Sequence, residues 1–102
     1  MGTMFDVVHD EAAGRLEAEV DGHRAELVYR VDGELMLMLH TWVPPAIEGR
    51  GVGSALVRAA VDEAARRDLT IVPVCSFVRG WLDRHPEVQT KVQWPRPRLG
   101  ES

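Results

Sequence analysis

The sequence contains one cysteine, no apolar run long enough to cross a membrane, and no window in which basic residues are concentrated. A single cysteine, Cys75, excludes an internal disulfide, and no charged-then-apolar leader opens the chain. Sixteen Asp and Glu outnumber twelve Lys and Arg, giving a net charge of −4. We therefore expect a cytoplasmic protein that binds neither nucleic acid nor membrane, and the acidic balance favours a cationic amine as partner.

Length limits the number of domains. With 102 residues and 45% apolar composition, the chain has room for one compact domain with a single core. We place that domain at residues 1–90. Residues 91–102 include Pro95 and Pro97 and carry no recognisable motif, so they are expected to form a loose C-terminal tail.

Alternating polar and apolar residues predict an antiparallel meander in the first half of the chain. A short strand is expected over residues 4–8, and residues 15–20 and 23–31 alternate with period two. An Asp-Gly dipeptide follows each of the two longer runs and is typical of a two-residue hairpin turn. Such turns would give the following cross-strand pairs: Val20 with His23, Ala18 with Ala25 and Leu16 with Leu27, then Tyr29 with Met36, Leu27 with Met38 and Ala25 with His40.

The second half of the chain predicts a β-α-β crossover. Residues 34–43 are apolar on both faces, so this strand is expected to be covered from both sides. Residues 51–67 have the spacing of an amphipathic helix, and the β-branched run 70–74 follows as a parallel strand ending near Val43. Ser76 is the expected N-cap of a second helix that ends at His85. The fold class is thus α/β (α+β), with a mixed sheet, a meander, a crossover and a C-terminal helix.

The turn Glu48-Gly49-Arg50-Gly51-Val52-Gly53 has the features of a phosphate-binding site. Gly51 and Gly53 lack side chains, so a ligand can reach the free N–H groups of the first helical turn, where the helix dipole favours negative charge. The Gly-Lys-Ser/Thr of a P-loop is absent, and Leu56 stands where a dinucleotide-binding fingerprint needs its third glycine. The alternative interpretation is that the glycines serve only close packing of the helix on the sheet.

A longer pattern resembles the central motif of the GCN5-related N-acetyltransferases: Val43-x-Pro45, the turn 48–53 and Leu56. The span 16–87 is similar to a small single-domain subfamily of acetyltransferase-like proteins, through His40-Thr41, Val43-Pro44-Pro45, Cys75-Ser76-Phe77-Val78 and His85-Pro86-Glu87. The resemblance implies a GNAT-like fold and acetyl-CoA as co-substrate, without a metal. It implies these coenzyme-binding positions: Trp42, Val43, Gly49, Arg50, Gly51, Val52, Gly53, Ser54 and Cys75.

The chain departs from the family pattern at two points. Glu48 stands where the family usually has Gln or Arg, so pyrophosphate recognition should depend chiefly on backbone N–H groups, with Arg50 close enough to substitute in part. Many members have a tyrosine on the last helix that protonates the departing thiolate, where this chain has Trp81 and Leu82. The short subfamily also lacks the early helices that normally build the acceptor pocket, so the acceptor side is expected to be open.

Cys75 and His40 are the candidate catalytic residues. Cys75 lies between a strand and a helix N-terminus, where a thiol pKa can fall, and it has three interpretations: an acetylated relay nucleophile, a residue lining the pantetheine channel, or an inert buried cysteine. His40 is interpreted either as a core histidine or as a general base for the amine or for Cys75. We expect it to share a face with Met36, Met38 and Trp42. Its distance from the strand end argues against direct contact with Cys75.

Other histidines and aromatic residues have structural interpretations. The cluster His9, Asp10 and Glu11 lacks a further His or Cys at ligand spacing and is expected to be a solvated loop rather than a metal site. His85 is interpreted as a helix C-terminal residue favoured by the helix dipole, rather than as a catalyst. Trp81 and Phe77 are expected in the core.

Three functions are consistent with these patterns. The first is an acetyl-CoA-dependent N-acetyltransferase that acts on a primary amine of a small molecule or a protein, directly or through a Cys75 relay. The second is a non-catalytic acetyl-CoA or acyl-CoA binding module, favoured by the missing tyrosine. The third is a structural domain that has lost its ligand, which the intact glycine turn argues against.

Overall fold

The computed structural model describes residues 6–88 and 90–94. Its five-stranded sheet has the order β1-β2-β3-β4-β5, comprising β1 (Val7–Asp10), β2 (Arg15–Val20), β3 (His23–Asp32), β4 (Leu35–Trp42) and β5 (Thr70–Pro73). The first four strands are antiparallel and β5 runs parallel to β4. Two helices, α1 (Val52–Arg66) and α2 (Ser76–Asp83), and a short 3-10 helix, Pro45–Ile47, complete the fold. The predicted fold class is confirmed.

One core fills the space between the sheet and the helices. Alternate residues of β2, β3 and β4 are buried on the helix side, among them Leu16, Leu27 and Met38. Helix α1 contributes its apolar face, and α2 contributes Val78, Trp81 and Leu82 to the same cluster: the α1 members are Val52, Leu56, Val57, Ala60, Val61 and Ala64. Both helices therefore cover one face of the sheet.

The register of the first hairpin is the predicted one, and that of the second is not. Leu16 pairs with Leu27 and Val20 with His23, as expected. In the second hairpin Asp32 pairs with Leu35, so the turn residues are Gly33 and Glu34 and not Asp32 and Gly33. The predicted pairs Tyr29 with Met36, Leu27 with Met38 and Ala25 with His40 are therefore wrong. Tyr29 pairs with Met38 instead.

A β-bulge in β4 changes which side chains face the helices. Tyr29 pairs with Met38 but Val28 pairs with His40, so Leu39 has no partner in β3. One extra residue reverses the alternation beyond it. Thr41, paired with buried Leu27, lies on the helix side, whereas His40 and Trp42 lie on the opposite face. The expectation that His40 shares a face with Met36 and Met38 is thus wrong.

The face of the sheet opposite α1 and α2, which we call the open face, carries neither helix. Leu35 and Leu37 are half-buried there and Leu39 is 37% exposed. The expectation that this strand is covered from both sides is therefore wrong. Near the end of β4, the open face carries the following residues: Arg15, Glu17, Arg24, Glu26, Val28, Leu39, His40 and Trp42.

Strand β5 stops earlier than predicted relative to β4. Its last residue, Pro73, lies beside Met38, and the N–H of Cys75 donates to the Met38 carbonyl at 2.9 Å. The end of β5 is thus not near Val43, and β4 continues to Trp42 without a partner in β5. Beyond the predicted boundary at residue 90, backbone hydrogen bonds join Lys91 and Gln93 to Ile71. The rest of the predicted tail, residues 95–102, lies outside the described residues.

No helix among residues 6–88 and 90–94 combines the length and the apolar character that crossing a bilayer requires.

Candidate functional site

A cleft of about 500 Å³ opens where the end of β4 faces the N-terminus of α1. The sequence prediction gave nine coenzyme-binding positions, and most of them lie together in its lining: Trp42, Val43, Gly49, Gly51, Val52, Gly53 and Ser54. The structure adds Thr41, Ile47, Glu48 and Phe77 to the lining. Arg50 and Cys75 are not part of it. The volume lies within the range of small-molecule sites, roughly 300–1,000 Å³.

The start of α1 contributes unpaired backbone N–H groups to one end of this mainly apolar cleft. Gly51 is the N-cap, with φ of 84°, and no side chain caps the helix. The first helical hydrogen bond at this end runs from the Ala55 N–H to the Gly51 carbonyl at 3.0 Å, so it leaves the N–H groups of residues 52–54 outside the helical pattern. The first turn contains no acidic residue. Such an end attracts anions through its N–H groups and its dipole.

Glycine is required at the three positions of the turn for different physical reasons. Gly49 and Gly51 have φ of 78° and 84°, a conformation that is strained for other residues. Gly53 is needed for space instead, because a Cβ there would lie 2.8 Å from Cζ of Phe77 and 3.4 Å from Cγ2 of Val43. Close packing thus accounts for Gly53, while the other two allow the chain to turn beneath the cleft.

Trp81 fixes the side chain of Ser54 at the cleft. The indole Nε1–H of Trp81 donates to Ser54 Oγ at 2.7 Å, and Trp81 is only 1% exposed. Because the Ser54 oxygen accepts this bond, its own proton is available for an acceptor in the cleft. The ring of His85 stacks on Trp81 with centroids 3.9 Å apart, and the Arg58 guanidinium lies 5.1 Å from the Trp81 ring. The indole is therefore held from several sides.

His85 has the structural position expected for it. Its Nδ1 lies 2.7 Å from the carbonyl oxygen of Trp81, which can only accept, so Nδ1 carries the proton. The Trp81 carbonyl also accepts the Arg84 N–H, so His85 adds a second hydrogen bond in the last turn of α2. Phe77, in contrast, is not a core residue as predicted, since it is 40% exposed and lines the cleft.

Cys75 lies directly behind the cleft wall. It is the N-cap of α2, in place of the predicted Ser76. Its sulfur is hydrogen-bonded to Thr41 Oγ1 at 3.6 Å. Burial by itself raises the pKa of the Cys75 thiol. Hydrogen bonds from the N–H of Val78, the Thr41 hydroxyl and the N–H of Phe77 favour the thiolate, and they hold that pKa below its ordinary value. The contact through Thr41 joins the thiol to the cleft.

Replacing Thr41 by valine should make Cys75 less reactive. The substitution removes one hydrogen bond to the thiolate at nearly constant volume, so the thiol pKa rises and alkylation by iodoacetamide at neutral pH slows roughly fivefold. In the wild type, alkylation should reach half its maximal rate at a lower pH than it does for free cysteine. In Thr41→Val this pH should be higher than in the wild type. Thr41→Ser retains the hydroxyl and should keep the wild-type profile; equal profiles for all three proteins would contradict the assignment.

His40 and Cys75 lie on different faces of the sheet. His40 is exposed and pairs with Val28 on the open face, whereas Cys75 is bonded to Thr41 on the helix side. The β-bulge is the cause of this separation. His40 is therefore not placed to take a proton from Cys75, and any role it has concerns a group that approaches from the open face.

Arg50 does not compensate for Glu48 in this arrangement. Its guanidinium is paired with Asp21 in the turn between β2 and β3, with Nη1 and Oδ2 2.7 Å apart. The hydrogen bond and the charge of Arg50 lower the pKa of Asp21. Glu48 itself lines the cleft. Arg50 thus connects the glycine turn to the neighbouring hairpin, and its guanidinium is engaged outside the cleft lining.

His9 belongs to the sheet and not to the loop that was predicted. It lies in β1, where Nε2 is hydrogen-bonded to the Tyr29 hydroxyl and Nδ1 lies 3.8 Å from a carboxylate oxygen of Glu63. Among the residues that the structure describes, no three His, Cys, Asp or Glu side chains are grouped as metal ligands would be.

Sequence reasoning missed Thr41 and the bond between Trp81 and Ser54. Thr41 was part of the His40-Thr41 motif, so a signal existed, but only the bulge places its hydroxyl near Cys75. The Trp81 bond joins residues 27 positions apart on two helices and has no local sequence signal.

Comparison with known proteins shows the family of the chain. The sequence profile of a family described as GCN5-related N-acetyl-transferase matches residues 15–91. Protein NATD1 of Gallus gallus is 31% identical over 88 residues, which is 83% of this chain and 80% of that protein. The human protein of the same name is 31% identical over 88 residues, covering 83% and 78% of the two chains.

A solved structure extends the likeness to three dimensions. An NMR structure of a GCN5-like protein from Staphylococcus aureus superimposes with a TM-score of 0.69 and 26% sequence identity, covering 95% of this chain and 96% of that one. The matched profile includes β4, the glycine turn and the start of α1, which line the cleft, and also Cys75. By its sequence and by its fold, the chain belongs to the GCN5-related N-acetyltransferase family.

Proposed function

We propose that the protein is an acetyl-CoA-dependent N-acetyltransferase acting on a primary amine, and that it binds the coenzyme in the cleft between β4 and α1. The observation that carries the proposal is the uncapped N-terminus of α1, which presents the N–H groups of residues 52–54 at a cleft of about 500 Å³. A pyrophosphate bound there gains hydrogen bonds from the backbone and a favourable interaction with the helix dipole. The Ser54 hydroxyl adds one more donor.

The unpaired end of β4 supports the position of the pantetheine arm. Beyond Met38, β4 has no partner in β5, and Trp42 and Val43 line the cleft. An extended ligand with amide groups can pair with free backbone groups as an added strand does. This would direct the acetyl end from the glycine turn towards the gap between β4 and β5, where Thr41 and Cys75 lie.

Two routes of acetyl transfer fit the residues present. In the direct route a neutral amine attacks the thioester carbonyl, the carbon–sulfur bond breaks, and the proton lost by the amine goes to the departing thiolate. In the relay route the Cys75 thiolate attacks first and coenzyme A leaves as a thiolate. The amine then displaces the Cys75 sulfur as a thiolate, and the proton lost by the amine goes to the coenzyme A thiolate. The lowered pKa of Cys75 supports the second route. For either route we propose an amine of a small molecule or a protein in the cytoplasm as acceptor, with no nucleic acid, membrane or metal involved.

The alternative function is a non-catalytic acetyl-CoA or acyl-CoA binding module. The observation in its favour is that the described cleft lining contains no tyrosine to protonate a thiolate. The two candidate replacements are also unsuited, because Trp81 uses its N–H on Ser54 and Leu82 is buried and apolar.

Calorimetry and intact-mass measurement separate these functions. Acetyl-CoA should bind saturably to the wild type and to Cys75→Ala with similar affinity, since Cys75 is not part of the cleft lining. After incubation with acetyl-CoA, an added acetyl group on the wild type but not on Cys75→Ala supports the relay. Binding without self-acetylation and without transfer across a panel of amines favours the binding module. Absence of saturable binding contradicts both.

A further inference from the structure

An exposed aromatic residue lies at the boundary between the cleft and the open face. The β-bulge at Leu39 places His40 and Trp42 on the open face, paired with Val28 and Glu26 of β3. Trp42 is 49% exposed and also lines the cleft. Cross-strand partners on one face have Cβ atoms about 5 Å apart, so the side chains of Trp42 and Glu26 begin next to each other on this face.

Glu26 is an uncompensated carboxylate beside another carboxylate. It pairs directly with Glu17 of β2, and like charges in such positions repel. Glu17 is compensated by Arg15, 3.3 Å away, and by Arg24, 3.9 Å away. Glu26 is half-buried, yet its side chain forms no hydrogen bond or ion pair with any residue in the described part of the chain. Its carboxylate therefore has no direct ion-pair partner within the described residues, and a cationic ligand would supply one.

We propose that Glu26, Trp42 and His40 form a binding subsite for the cationic group of the acceptor amine, on the face of the sheet opposite the helices. This inference depends on the proposed transferase function and specifies its acceptor. A carboxylate beside an exposed indole is suited to an alkylammonium. The ammonium forms an ion pair with the carboxylate, and it lies against the face of the indole ring. A net charge of −4 favours the approach of a cation.

The position of this subsite suits transfer through the sheet. Coenzyme bound in the cleft lies on the side of α1, and the subsite lies on the open face, with Trp42 in contact with both regions. Beyond Met38, β4 has no hydrogen-bonded partner in β5, which leaves a place between the strand ends where the two ligands would meet. An amine held at Glu26 can thus reach an acetyl group in the gap without entering the coenzyme cleft.

Glu26 also specifies the chemical class of the acceptor. Its carboxylate, which has no ion-pair partner among the described residues, disfavours a carboxylate on the ligand near its amine. The acceptor is therefore an alkylamine without an adjacent acid, such as a diamine or a lysine side chain, and not a free amino acid.

Titration by NMR tests the subsite on the full chain with coenzyme A present, which cannot donate an acetyl group. Diaminobutane should shift the indole N–H signal of Trp42 saturably, with much smaller shifts for Trp81 and Trp94. Aminobutanoate, which replaces one amine by a carboxylate, should bind far more weakly. Glu26→Gln should weaken diaminobutane binding about tenfold, because a charge-assisted contact is lost. Glu34→Gln changes the charge equally at the opposite end of β4 and should bind as the wild type does.

The possible results have distinct meanings. Equal binding of diaminobutane and aminobutanoate, or equal loss in Glu26→Gln and Glu34→Gln, would overturn the subsite. If coenzyme A itself shifts no amide of the cleft, the proposed function fails, and the titration with diaminobutane alone still decides whether the subsite exists. Coenzyme A affinity should be the same in both variants, since neither residue lines the cleft.

Discussion

Replacing Ser54 by aspartate should abolish most coenzyme binding without destabilising the protein. Ser54 is in the first turn of α1 and lines the cleft. A carboxylate there interacts favourably with the helix dipole, and it can still accept the Trp81 N–H bond. The same charge repels the pyrophosphate at close range, so acetyl-CoA affinity should fall at least about a hundredfold. Calorimetry measures the affinity, and thermal unfolding without ligand measures the stability.

Ser54→Asn is the matched control. The asparagine amide is similar in shape to the aspartate carboxylate, but it carries no charge. Its oxygen can accept the same hydrogen bond from Trp81. We expect it to bind acetyl-CoA within a few-fold of the wild type, consistent with the loss of a single hydroxyl donor. Equal and large losses in both variants would mean that the hydroxyl, and not the electrostatics of the helix N-terminus, determines binding. Retention of full affinity by Ser54→Asp would place the pyrophosphate elsewhere.

Trp81→Ala should be severely destabilising. The side chain is 1% exposed, donates to Ser54 and stacks on His85, so its removal leaves a large cavity at the junction of α1 and α2. Large-to-small changes of this kind cost about 3–5 kcal/mol of unfolding free energy. Chemical denaturation measures this free energy. The midpoint should fall markedly without a change in cooperativity.

Trp81→Phe separates the ring from its hydrogen bond. It keeps an aromatic ring against His85 and Arg58 but removes the donor to Ser54, so a loss of about 1–2 kcal/mol is expected. Because the Ser54 side chain is then free to rotate, acetyl-CoA affinity should fall modestly. If Trp81 served only packing, the affinity would be unchanged. A Trp81→Ala protein as stable as the wild type would contradict the packing described for this junction.

Local signals in the sequence were sufficient for the longer strands, the two helices and the first hairpin, whereas the first strand was expected at residues 4–8 and lies at Val7–Asp10. Asp21 and Gly22 both have positive φ, which is the turn that an Asp-Gly dipeptide favours, and the register followed from it. In the second hairpin only Gly33 has positive φ and it is the first turn residue, so the pairing moves by two positions. A shift of two keeps every side chain on its face, and the hydrophobic pattern therefore could not distinguish the two registers.

The β-bulge was not predictable from the sequence, and the site depends on it. Strand β4 is apolar on both faces, so its residue pattern does not show that Leu39 is the extra residue of the bulge. The consequences are all tertiary: Thr41 faces Cys75, while His40 and Trp42 face away from the helices. The glycine turn, in contrast, was recognisable because Gly49, Gly51 and Gly53 each meet a backbone or space requirement that few other residues can meet.

The central claim is that the N-terminus of α1 binds the pyrophosphate of coenzyme A, and amide chemical shifts test it most directly. Titration of isotope-labelled protein with acetyl-CoA should give the largest saturable shifts at the amides of residues 51–54, accompanied by Trp42 at the mouth of the cleft. Inorganic pyrophosphate should shift the same amides more weakly and leave Trp42 unchanged. Saturable shifts centred away from residues 41–54, or no shifts at these amides, would contradict the account.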